Sequence, residues 1–159
     1  MPSASQAQPG RMTPEVEARR AIMALAGAAT LDELREALSV AGLSPEAKDL
    51  RTPETGLVMA RGRIGGDGRA FNLGEATVTR AAVRLSTGET GFAYHLGRDR
   101  AKARLAAILD AHWQRADGRE AVEAALAAVA ERRAGEADAT ARRVAATRVN
   151  FFTLARGED

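Results

Sequence analysis

The 159-residue sequence has no cysteine, which excludes disulfides, zinc sites built on thiolates and cysteine nucleophiles. Aromatic side chains make up only 4% of the residues, so the core must consist mainly of small aliphatic side chains. No apolar run is long enough to cross a membrane, and residues 1–12 lack the apolar stretch of a secretory signal. We therefore expect a cytoplasmic protein that does not bind membranes.

Lysine is also scarce, because Lys48 and Lys102 are the only lysines among 23 basic residues. Arginine suits bidentate binding of phosphate or carboxylate. A G+C-rich coding sequence, however, produces the same excess of arginine over lysine without any function. The formal net charge is only +2, and this small excess does not indicate a nucleic-acid-binding protein.

The length fits a single domain. Residues 1–12 are small, polar and interrupted by proline and glycine, which is typical of a flexible tail. We therefore expect one domain over residues 13–159.

Helical signals occur at both ends of this domain. Thr13-Pro14 predicts the start of a first helix, and Thr30 with Glu33 forms the capping box of a second helix that ends at Gly42. Asp99 predicts the cap of a third helix. Asp117 with Glu120 forms a further capping box, and Gly135 is the expected interruption in the alanine-rich sequence that follows.

Between these helices, residues 55–96 show the alternating pattern of apolar and polar residues that is typical of strands, and glycine-rich turns separate these strands. A short extended segment between Pro45 and Pro53 precedes them, and STGE at 86–89 predicts a tight hairpin. We expect an α+β fold, in which N- and C-terminal helices pack on an antiparallel meander of about four strands.

The stretch GGDGRAF at 65–71 has two possible explanations. It resembles a phosphate-binding loop, but it lacks the Walker pattern, and a strand rather than a helix follows it. Turn geometry explains more, because Gly65, Gly66 and Gly68 can adopt positive φ angles without steric cost. We expect these glycines to reverse the chain.

Alternation along the next strand places Arg80 and Arg84 on one face. Such a pair could clamp a polyphosphate, dock an acidic partner surface, or simply be solvated or salt-bridged. Arg61 and Arg63 share a strand face of their own, and the strand register decides whether they join this patch.

No catalytic or metal-binding constellation is evident. His95 and His112 have no neighbouring ligands at metal-binding spacing, and no nucleophile-elbow motif is present. We therefore assign no catalytic residue, no metal ligand and no cofactor-binding residue.

The terminal segment RVNFFTLARG at 148–157 is the candidate subunit interface. Phe151 and Phe152 point to opposite sides of an extended chain, so one of them could meet the core and the other a neighbouring subunit. Arg148 and Arg156 flank them in the same candidate interface. An ordinary strand buried on both sides explains the pattern equally well.

Several of these segments together resemble the PhnG subunits of the bacterial carbon-phosphorus lyase system. The resemblance rests on ETGL at 54–57, GGxGxxF at 65–71, GEATVTRAAVRL at 74–85, GRD at 97–99, Asp110-Ala111, and RVxFFTxxRG at 148–157. Asn150 and Arg104 stand where the family usually has aspartate and glutamate.

The resemblance implies an accessory subunit of a core complex with PhnH, PhnI and PhnJ, which works together with PhnL. That complex converts MgATP and an alkylphosphonate to ribose 1-alkylphosphonate 5-triphosphate and adenine. The chain would be inactive alone and bind no cofactor, with MgATP a substrate of the complex. Two alternatives remain open: an autonomous nucleotide-binding enzyme that uses Arg80 and Arg84, and a nucleic-acid-binding module.

Overall fold

A computed structural model describes residues 12–64 and 68–147. In this part of the chain, two helices precede three strands and three helices follow: α1 Pro14–Ala28, α2 Leu31–Val40, β1 Lys48–Gly62, β2 Phe71–Arg84, β3 Thr90–Leu96, α3 Arg100–Trp113, α4 Arg119–Ala125 and α5 Ala127–Ala146. The α+β class is confirmed. No helix among the described residues is long and apolar enough to cross a bilayer.

The sheet has three antiparallel strands in the order β1-β2-β3, rather than about four. The count differs because the extended segment that contains Pro53 and the strand expected from Thr55 are one continuous strand, β1. Register shifts between Asp49 and Glu54 let this strand bend without ending.

The strands differ in length, and this leaves part of the sheet only two strands wide. β3 pairs with β2 only from Val78 to Arg84. The remainder of β2 pairs with β1 alone, so residues 57–62 and 71–77 form a two-stranded extension, here called the ribbon.

The core lies between the sheet and α3, against which α1 and α2 also pack. Gly91 allows the close approach of α3 to β3, since a Cβ atom there would lie 1.9 Å from the carbonyl oxygen of Ala107. Thr79, Ala81 and Val83 of β2 are buried on this face of the sheet. The opposite face has no equivalent helical layer in the described residues.

Three helix starts follow the sequence prediction. Thr13 caps α1, and Thr30 and Glu33 form the expected capping box of α2. Asp99 caps α3, where its Oδ1 accepts the backbone N–H of Lys102 at 2.8 Å. Gly42, with a φ of 64°, follows α2 as expected.

Two predictions for the C-terminal helices were wrong. Asp117 does not cap α4, because its carboxylate accepts hydrogen bonds from the Arg115 side chain, while Gly118 occupies the N-cap position. Gly135 does not interrupt a helix, since α5 continues through it and the boundary with α4 falls at Leu126. One exposed glycine costs a helix only about 1 kcal/mol, which the rest of a long helix can offset.

Candidate functional site

The main candidate surface is the sheet face turned away from α3, here called the open face. Residues directly opposite in an antiparallel pair share a face, so the register places Phe92, Tyr94 and Leu96 there, beside Ala82, Arg80 and Val78 of β2. The side chains of Phe92, Tyr94 and Leu96 form a row along β3, here called the apolar row. These three residues are 50%, 56% and 74% exposed.

The two arginines singled out from the sequence lie on the open face but differ in their partners. Arg80 Nε donates to Glu54 Oε1 at 2.7 Å, and Arg51 donates to the same oxygen. The pKa of Glu54 is lowered by these hydrogen bonds, first by Arg51 and then by Arg80. Arg80 therefore shares a single carboxylate of its own chain with Arg51.

Arg84 instead lies directly opposite another cation, Lys48. Its Nε donates to the hydroxyl of Thr90 at 3.3 Å. Within residues 12–64 and 68–147, neither Lys48 nor Arg84 forms a salt bridge with a carboxylate. This end of the open face carries uncompensated positive charge.

Arg61 and Arg63 lie apart from this charge. Arg61 pairs with Asn72 in the ribbon, and strand alternation turns it to the face opposite Arg80. Arg63 follows the end of β1. The register therefore does not bring either residue to the Arg80 and Arg84 patch.

A cleft of about 540 Å³ opens at the same end of the sheet, beside the hairpin between β2 and β3. Lys48, Arg84, Arg115 and His112 contribute to its lining, together with Glu46. Arg115 is already paired with Asp117. The cleft could accommodate an acidic group, and the Thr87 hydroxyl in its lining donates a hydrogen bond to the Glu89 carboxylate.

Both histidines are buried, and each is fixed by a backbone carbonyl. His95 Nδ1 lies 2.9 Å from the carbonyl oxygen of Leu96, and His112 Nε2 lies 2.9 Å from that of Ser44. Among the described residues, no group of three or more potential ligands could hold a metal ion. The other ring nitrogen of each histidine, His95 Nε2 or His112 Nδ1, is buried and has no hydrogen-bond partner among the described residues.

Gly68 has a steric role in its turn. A Cβ atom at this position would lie 2.1 Å from the carbonyl oxygen of Ile64, so the backbone approaches too closely for any side chain. In residues 12–64 and 68–147, the glycines with positive φ angles are Gly42, Gly74, Gly88 and Gly97, and Gly68 is not among them. Gly65 and Gly66 lie outside the described residues.

Asp110 is an important residue whose role sequence reasoning did not assign. Although only 2% exposed, its carboxylate accepts hydrogen bonds from Arg19 Nε at 2.9 Å and Nη2 at 2.8 Å. It also accepts the backbone N–H of Phe92 at 2.8 Å. Asp110 therefore ties α1 and α3 to β3, the strand that bears the apolar row. An acidic residue within an apolar helical stripe was the available signal.

The candidate interface at Phe151, Phe152, Arg148 and Arg156 lies outside the described residues, and it stays a prediction.

Comparison with known proteins gives a family for this chain. The family model described as phosphonate metabolism protein PhnG matches residues 17–157. The chain is also 56% identical over 144 residues to the alpha-D-ribose 1-methylphosphonate 5-triphosphate synthase subunit PhnG of Rhizobium meliloti (strain 1021). That match covers 91% of this chain and 92% of the relative.

The chain belongs to the PhnG family.

In this PhnG-family chain, the motifs that carried the resemblance build the sheet and fix its neighbours. Glu54 of the first motif pairs with Arg80 of the long strand motif. In the same strand motif, the hydroxyl of Thr79 donates to the carbonyl oxygen of Gly97 at 2.7 Å. Asp99 caps α3. The family motifs in the described residues thus position the open face.

Proposed function

We propose that this chain is an accessory, non-catalytic subunit of a cytoplasmic complex that makes ribose 1-alkylphosphonate 5-triphosphate. In the reaction proposed for the complex, the phosphonate displaces adenine from the ribose of MgATP. By resemblance to the family, the partners are PhnH, PhnI and PhnJ, and PhnL acts with them. The close relative that is itself a subunit of such a synthase supports the choice of reaction.

The observation that carries the proposal is the uncovered apolar row on β3. Phe92, Tyr94 and Leu96 are each at least half exposed on a face where a soluble antiparallel sheet normally carries polar side chains. This uncovered apolar row therefore suits contact with another protein.

Omitting this chain from the reconstituted complex tests the proposal. We expect release of adenine from MgATP and methylphosphonate to fall by at least tenfold without the chain, and to return when the purified chain is added. An unchanged rate of adenine release in its absence would contradict the proposed function.

Calorimetry on the isolated chain tests the autonomous-enzyme alternative. Arg80 Nε already donates to the Glu54 carboxylate, whose negative charge would repel a triphosphate, so we expect no saturable heat on titration with MgATP. Saturable binding that disappears in Arg80→Gln would favour an independent nucleotide site.

A further inference from the structure

We infer that the open face is the docking surface for a different subunit, whose complementary surface is apolar and carries acidic groups. The inference deepens the proposed function and rests on it. It specifies which face is covered, the chemistry of the surface that covers it, and why a second copy of this chain is a poor occupant.

The first argument is the incomplete layering of the sheet. Antiparallel sheets pack one face on a core and keep polar residues on a solvated face. Here α3 covers one face, while β3 presents Phe92, Tyr94 and Leu96 at successive outward positions on the other. Covering them would remove three large apolar side chains from water, which favours association.

The second argument is the unbalanced charge beside the apolar row. The register places Lys48, Arg51, Arg80 and Arg84 on the open face, with Glu54 as the acidic residue among them. Lys48 and Arg84 are direct cross-strand neighbours, an arrangement that destabilises a sheet unless an anion offsets it. Carboxylates on the docked surface would supply that charge and select the partner.

The charge also decides between a partner subunit and a second copy of this chain. A second copy would bring the same excess of arginine and lysine and the same single carboxylate to the interface. Like charges across an interface cost several kcal/mol, so self-association through this face is disfavoured. An apolar surface with acidic groups meets both requirements of the open face.

Co-purification with charged variants of the apolar row tests the inference. An affinity-tagged chain is co-expressed with the subunits proposed as its partners, and the recovered subunits are quantified. Tyr94→Asp with Leu96→Asp places negative charge against an acidic, apolar surface, so we expect recovery to fall by at least tenfold. Val40→Asp is the matched control, because Val40 is 73% exposed against 74% for Leu96 but lies on α2. We expect wild-type recovery for it.

Charge reversal provides a second arm of the experiment. Lys48→Glu with Arg84→Glu should also lower recovery by at least tenfold, whereas Arg133→Glu on α5 should not. Recovery of the wild type should fall as salt rises. Thermal unfolding of each purified variant distinguishes a lost contact from a lost fold, and we expect unfolding temperatures close to wild type.

The outcomes separate failure of the inference from failure of the proposed function. Normal recovery of subunits with both the Asp and the Glu variants would overturn the docking face and leave the subunit role intact. If the wild type recovered no subunits, both would fall. Sedimentation showing a dimer of the isolated chain that Tyr94→Asp dissociates would overturn the choice of a different subunit.

Discussion

Replacing Asp110 by asparagine tests the contact that ties the helices to β3. The aspartate carboxylate accepts three hydrogen bonds of 2.8–2.9 Å, two from the Arg19 guanidinium and one from the Phe92 backbone N–H. The pKa of Arg19 is raised, chiefly by its hydrogen bond with Asp110. Asparagine keeps the shape of the side chain but has only one accepting oxygen. Its NH₂ group must therefore face a donor, either the Arg19 guanidinium or the Phe92 backbone N–H, and cannot accept a hydrogen bond from it.

The expected loss of unfolding free energy follows from the burial of the Asp110–Arg19 pair. Removing one partner of a fully buried ion pair costs about 3–5 kcal/mol, and one buried unsatisfied polar group costs about 1–3 kcal/mol. Asp110 is buried but the Arg19 side chain is 32% exposed, so water can partly solvate the released guanidinium. We expect Asp110→Asn to lower the free energy of unfolding by about 3 kcal/mol, which lowers Tm by roughly 6–12 °C in a protein of this size.

Urea unfolding followed by the fluorescence of the buried Trp113 measures this change. Asp117→Asn is the matched control, because Asp117 also pairs with an arginine but its side chain is 70% exposed. Its effect should stay below about 1 kcal/mol. An Asp110→Asn protein within 1 kcal/mol of wild type would refute the assigned role of the carboxylate.

Two further predictions concern packing and pH. Gly91→Ala should destabilise the fold by about 3 kcal/mol, the upper end of the usual range for overpacking, because the new methyl group would overlap the Ala107 carbonyl. Gly56→Ala, with open space around it, should be nearly neutral in the same urea assay. The pKa of Glu33 is lowered from 4.5 to about 2, first by the Arg132 side chain and then by the Thr30 backbone N–H. Its contribution to stability is therefore complete above pH 4.5 and lost as pH falls towards 2. Glu33→Gln should flatten the dependence of unfolding free energy on pH in that window, and an unchanged slope would contradict the assignment.

The sequence predicted elements whose signals are local. Thr13, Thr30 and Asp99 each satisfy backbone N–H groups within their own first helical turn, so short-range spacing is sufficient to find them. Asp117 has the same local pattern, but the side chain of Arg115 competes successfully for its carboxylate. Spacing alone cannot rank two such partners.

The features of the open face depend on register, which the sequence does not reveal. Alternation correctly placed Arg80 and Arg84 on one face, but only pairing with β1 shows that Glu54 binds Arg80 and that Lys48 faces Arg84. The position of the apolar row on the open face could not be predicted for the same reason. A strand with alternating apolar residues does not indicate which of its two faces a helix will cover.

Adding the purified chain back to a complex that lacks it tests the central claim most directly, with adenine release as the readout. We predict that wild-type chain restores the rate at stoichiometric amounts. The chain with Tyr94→Asp and Leu96→Asp should reach the same maximum rate only at concentrations at least tenfold higher, because docking is impaired and chemistry is not. Identical restoration curves for the two proteins, or no restoration by the wild type, would contradict the account.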